Sequence, residues 1–130
     1  MMTKFIRQKF STDCGFACVA MFAAVNYETV VRHASGYELV YSGLSPAREV
    51  EILLLFGLEV EARDSSLFDK SRPAIITVGS LNGGGRLHGV FWDGKKIFDP
   101  QKGRRGKDYY VDLDHALENA LTVLQEKEVG

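Results

Sequence analysis

The chain has 130 residues, 45% of them hydrophobic and 25% charged, with 16 Lys and Arg against 17 Asp and Glu. That length supports a single domain with its own core, and a net charge of −1 gives no electrostatic drive toward nucleic acid or an anionic membrane. Two cysteines are too few for a disulfide-stapled scaffold, and no apolar stretch or cleavage site near the start reads as a secretory signal, so a reducing, cytoplasmic setting is the default.

Phe5 and Ile6 read as a short extended lead-in to Gln8. Ser11-Thr12-Asp13 then gives way to an apolar run over 16–25, too short to span a bilayer and apolar all round, as a helix inside a globular core is. Asp13 is placed as the N-cap, and the helical pattern fades near Asn26 and Tyr27. Cys14 therefore stands at a helix N-terminus, where unpaired amide N–H groups and the macrodipole favour a thiolate. Cys18 lies one turn further in and reads as a core residue. Two thiols on one helix are badly placed to bridge, so both are expected to be free.

A segment over 28–34 looks helical and stops at Gly36. Ser45-Pro46 reads as an N-cap followed by proline at the first helical position, and Gly57 closes that helix. From Leu58 the pattern changes to alternation through Arg63, a half-buried strand, and the β-rich run over 74–78 behind Pro73 reads as a more central one. Asn82-Gly83-Gly84-Gly85 is a turn. Beyond it, 86–92 and 95–99 flank Asp93-Gly94, the dipeptide favoured by two-residue hairpin turns. With Asp93 and Gly94 as the turn residues, Trp92 faces Lys95, Val90 faces Ile97 and His88 faces Asp99, with opposed Cβ atoms about 4.5–5.5 Å apart.

Pro100 ends the second strand of that hairpin. Lys102, Arg104, Arg105 and Lys107 form a local basic loop that reads as a solvated turn, and Tyr109-Tyr110-Val111 is briefly β-prone. From Asp112 the tail carries Leu113, Ala116, Leu117, Ala120, Leu121 and Leu124 at helical spacing, which predicts an amphipathic C-terminal helix over 112–130. His33 and His115 fall on predicted helices among charges and read as solvated, whereas Trp92 reads as core.

Cysteine hydrolases need a thiolate near a histidine that exchanges its proton, a third group that orients the imidazole, and donors for the oxyanion of the tetrahedral intermediate. The sequence offers one candidate for each role: Cys14 as nucleophile, His88 as base, Asp99 as the orienting carboxylate, and Gln8 as an amide donor beside the Cys14 backbone N–H. Cys14, Cys18 and His88 are also zinc-ligand types. Cys-x₃-Cys within one helix gives awkward geometry, however, and no second ligand pair stands at metal-like spacing, so neither metal nor cofactor is expected.

The set Gln8, then Asp13-Cys14-Gly15-Phe16-Ala17-Cys18, resembles the active-site start of the bacteriocin-processing double-glycine leader peptidases, a branch of the papain-like cysteine peptidases. Gly43-Leu44-Ser45 before an apolar helix, Pro73-Ala74-Ile75, His88-Gly89-Val90-Phe91, and Ile97-Phe98-Asp99-Pro100 with Gly103 follow the same order. The resemblance covers roughly residues 5 to 106. It implies an α+β, papain-like fold in which the cysteine-bearing helix packs on an antiparallel sheet bearing the His and Asp. It also implies a Cys-His-Asp triad with a Gln oxyanion donor, and an extended peptide or protein substrate cut after glycine. The same constellation serves acyl transfer or glutamine deamidation, and a peptide-binding module that keeps the fold without turnover is the third class.

Overall fold

The structure is a computed structural model, and it describes residues 3–34 and 37–128. The first helix, α1 (Cys14–Ala23), is the centre of the helical layer. Residues 15–21 are all buried in it, so it has no polar face to give to solvent, as its composition requires. α2 (Tyr27–His33), α3 (Tyr37–Ser42) and α4 (Pro46–Leu55) follow. Asn26 caps α2 by accepting the Thr29 N–H at 2.8 Å, and Ser45 caps α4 by accepting the Arg48 N–H at 3.2 Å. The start of α4 at Pro46 and the left-handed Gly57 (φ 80°) just past its end match the sequence reading, because each residue is suited to its place at a helix end. The expected stop at Gly36 lies outside the described residues, and α3 is a helix that the sequence did not signal. No single helix among the described residues is long and apolar enough to cross a membrane, and α1 and α2 are bent by 107° at the break between them.

Five strands form one antiparallel sheet among the described residues: β1 (Val60–Arg63), β2 (Ala74–Gly79), β3 (Leu87–Trp92), β4 (Ile97–Phe98) and β5 (Ala120–Glu126), in the order β1-β5-β2-β3-β4. β2 is central, as expected, and residues 74–78 are all buried. Ile75, Phe91 and Leu124 pack with the helices in one core, while Ile76, Val78, Val90, Trp92 and Val123 form a second core with Tyr110 and Ala116. The Trp92 indole is buried and donates to Lys70 O at 2.9 Å.

The predicted C-terminal helix is wrong beyond its first turns. α5 spans only Leu113–Glu118, and the chain then enters the sheet as β5 between β1 and β2. Helical spacing of Ala120, Leu121 and Leu124 competes here with two ladders of backbone hydrogen bonds, which a strand in that slot satisfies on both sides. Val123, Leu124 and Gln125 are consecutive and all buried, a pattern no amphipathic helix gives. Gln125 meets this burial by accepting the Asp69 N–H (3.0 Å) and donating to Asp69 O (2.8 Å). The β-prone residues 109–111 form no strand.

Asp13 sits at the N-cap position of α1 but makes no capping hydrogen bond. Its buried carboxylate points backward, accepting from the Lys9 N–H (2.8 Å), the Phe10 N–H (2.9 Å) and the Tyr27 O–H (2.6 Å). The turn that leads from Gln8 to Cys14 is therefore wound around one acid. Asp13→Ala leaves the Lys9 and Phe10 N–H groups without this acceptor and removes the hydrogen bond to Tyr27, and is expected to cost about 3 kcal/mol or more. A urea midpoint within error of the wild type would contradict that account.

Candidate functional site

α1 crosses β3 at Gly89. A Cβ at that position would stand 3.6 Å from Cys18 Sγ and 3.9 Å from Cys14 Sγ, so both sulfurs lie over the strand that carries His88. Both cysteines are free. Cys14 is half-buried at the helix start, whereas Cys18 is fully buried. Burial, with the charges of Cys14, Glu49 and Asp99 around it, raises the Cys18 thiol well above the usual cysteine range, which makes it an inert core thiol.

The hairpin register differs from the expected one. Phe91 pairs with Phe98 and Trp92 with Ile97, so Asp93 comes opposite Lys96 with Gly94 and Lys95 between them. The Asp93 carboxylate decides this: its Oδ1 accepts from the Lys95 N–H (2.8 Å) and the Lys96 N–H (2.7 Å), and its own N–H donates to Lys96 O (3.2 Å). The register moves by two residues, which preserves the face of every side chain. His88 and Asp99 are then diagonal rather than directly opposed, within reach of their side chains. His88 Nε2 and Asp99 Oδ1 are 2.6 Å apart.

Asp99 is almost fully buried, yet its carboxylate is well supplied with donors. Besides His88, Oδ1 accepts the Gln101 N–H at 2.8 Å, and Oδ2 accepts the Tyr110 N–H at 2.7 Å. Burial disfavours an imidazolium at His88, but hydrogen bonds to Asp99 and Cys14 and the charges of both outweigh it, so its pKa is pushed up to about 10. The Nε2 atom faces the carboxylate, which leaves Nδ1 as the ring nitrogen able to exchange a proton elsewhere.

Gln8 is buried, and its backbone N–H donates to Pro100 O at 3.0 Å, tying the N-terminal arm to the chain just after Asp99. Its amide Nε2 donates to Phe10 O at 2.7 Å, and its Oε1 is buried without a hydrogen-bond partner. An amide has two N–H groups, so one remains for another acceptor. His88 is thus brought to Asp99, on the strand over which the Cys14 sulfur lies, and the Gln8 backbone is tied to Pro100, next to Asp99. His33 is exposed and lies against the Phe56 ring at 4.7 Å, while His115 is half-buried against Tyr110 at 4.5 Å, less solvated than expected.

Sequence reasoning missed Tyr110, whose backbone N–H fixes Asp99, and it missed Glu49. Glu49 is buried on α4, with Oε2 3.0 Å from where a Cβ on Gly15 would lie, beside Leu44. The signal was present, since residues 49, 52, 53 and 56 form one helical stripe of which the other three are apolar. Burial pushes its pKa up to about 8, from 4.5. The folded state therefore holds this proton more tightly than the unfolded chain. Its contribution to stability is full below about pH 4.5 and is lost as the pH rises to about 8, on the order of 4 kcal/mol. Glu49→Gln should leave stability near pH 4.5 almost unchanged and raise it progressively toward pH 8.5. Parallel denaturation curves at both pH values check this, and an equal effect at the two would refute it.

No family model matches the sequence, and no curated protein matches it. The architecture is similar to the crystal structure of a double-glycine motif protease from an AMS/PCAT transporter in complex with the leader peptide, with a TM-score of 0.66 and 20% identity, covering 95% of this chain and 89% of that one. The chain thus has an α+β fold, a helical region on an antiparallel sheet, that it shares with that structure.

Proposed function

We propose that this protein is a cysteine peptidase that hydrolyses a peptide bond, after glycine, in a peptide or protein held in extended form. The observation that carries the reading is His88 hydrogen-bonded to Asp99 on the strand over which the Cys14 sulfur lies, in a fold shared with a double-glycine motif protease. The Cys14 thiolate attacks the scissile carbonyl carbon, and the resulting oxyanion takes hydrogen bonds from the Cys14 backbone N–H and the Gln8 amide. As the C–N bond breaks, imidazolium His88 gives its proton to the leaving amine, and a thioester remains on Cys14. Water, losing a proton to His88, then attacks that thioester, releasing the carboxylic acid and restoring the thiolate. Asp99 keeps the imidazole oriented throughout.

Support for glycine before the scissile bond comes from the fold shared with a double-glycine motif protease. Incubating the protein with diglycine-containing peptides and weighing the products tests the proposal. Cleavage after glycine, lost in Cys14→Ala, is expected. A one-dalton gain on glutamine would reassign the chemistry to deamidation, a transferred acyl group would reassign it to acyl transfer, and turnover surviving in Cys14→Ala would overturn the proposal.

A further inference from the structure

We propose that Arg104 is a positioning residue for the oxyanion donor, fixing Gln8 through the carbonyl of Phe10; the proposal rests on the role given to Gln8 above. Two donors converge on that carbonyl. Gln8 Nε2 donates to Phe10 O at 2.7 Å, and Arg104 Nη1 donates to the same oxygen at 2.8 Å. Gln8 has no other side-chain anchor among the described residues, since its Oε1 is buried without a donor. The direction of its second amide N–H therefore depends on where the Phe10 carbonyl is held. A half-buried guanidinium, rigid and permanently charged, is suited to holding a carbonyl in place.

Arg104 is itself held from the side of the base. The same Nη1 donates to Gln101 Oε1 at 3.1 Å, the Arg104 N–H donates to Gln101 O at 3.1 Å, and the Gln101 N–H donates to Asp99 Oδ1 at 2.8 Å. That Asp99 oxygen is the one joined to His88. Gln101, the middle of this path, is buried. A single run of hydrogen bonds thus connects the orienting carboxylate, by way of Gln101 and Arg104, to the amide that would receive the oxyanion. The basic loop of residues 102–107 contains one member with a defined structural task, and the others are exposed.

The test separates oxyanion binding from thiol reactivity. A glycine-ended peptide aldehyde forms a hemithioacetal whose oxygen occupies the oxyanion position, whereas alkylation by iodoacetamide needs only the thiolate. Arg104→Met should weaken aldehyde inhibition by about tenfold or more, with the rate of Cys14 alkylation unchanged, and Arg104→Lys should lie between Met and wild type. Gln8→Ala is measured beside them. If Gln8→Ala loses aldehyde affinity and Arg104→Met does not, the Arg104 proposal is wrong and the Gln8 reading stands; if neither loses it, both are wrong. A Met variant that loses alkylation rate in equal proportion identifies a merely structural residue and also overturns the proposal. Should the Met variant not fold, Arg104→Lys is read by the same pair of assays, with loss of aldehyde affinity at unchanged alkylation required.

Discussion

His88→Ala will cut peptide turnover by about 10³-fold or more while leaving the protein folded. The imidazole is hydrogen-bonded to the buried carboxylate and stands next to Gly89, over which the sulfur of the candidate nucleophile lies. Without it, no proton is delivered to the leaving amine and the thiolate loses its counter-charge. The histidine side chain is about one-tenth exposed, but it lies at the start of β3 rather than in its middle, and Asp99 keeps its Gln101 and Tyr110 donors when the imidazole is removed, so the fold is expected to survive the truncation. Melting temperature and turnover measured on one preparation check this. Retained turnover, or collapse of the fold, would show that His88 serves another purpose.

Asp99 carries the second large effect, and two substitutions divide its roles. Asp99→Ala leaves the Gln101 and Tyr110 N–H groups without their acceptor and opens a polar void in a buried position, at an expected cost of about 3 kcal/mol. Asp99→Asn retains the shape and removes the charge. Burial then dominates at His88, whose pKa falls from about 10. A raised histidine pKa gives stability that is complete below its unfolded value and is lost as the pH rises through the folded one. The imidazolium and its pairing with Cys14 should accordingly disappear at lower pH in the Asn variant. Turnover is expected to drop by about 10- to 100-fold, with the alkaline limb of the pH profile shifted downward. An unmoved limb would separate Asp99 from the titration of His88.

These residues were legible because each is tied to a local signal. Asp13-Cys14 marks a change from turn chemistry to an apolar helix, and Asp93-Gly94 marks a hairpin that brings residues eleven apart in sequence to one place. The register of that hairpin was not legible, because it depends on whether Asp93 serves as a turn residue or folds its carboxylate over the Lys95 and Lys96 N–H groups. The error was even-numbered, so the His88–Asp99 contact survived it. Position 13 shows the same limit. Its helix-start place is readable, but the choice between capping forward and reaching back to Lys9, Phe10 and Tyr27 belongs to tertiary structure.

The tail failed for a different reason. Ala120, Leu121 and Leu124 satisfy a helical period, and only the gap between β1 and β2 makes the strand the better use of those residues. Glu49 was overlooked because a charged residue near a helix start is ordinarily stabilised there; its burial against Gly15 and Leu44 is a product of how α4 packs on α1. Arg104 likewise gains its meaning from Phe10, ninety-four residues away, a contact that no local pattern announces.

The most direct measurement is the reaction of the intact protein with a glycine-ended peptide carrying a cysteine-directed electrophile, with the adduct mapped by mass. The expected result is one adduct, on Cys14, formed near neutral pH, with Cys18 unmodified and labelling lost in His88→Ala. An adduct on Cys18, labelling indifferent to His88, or no adduct at all would contradict a peptidase site built on Cys14.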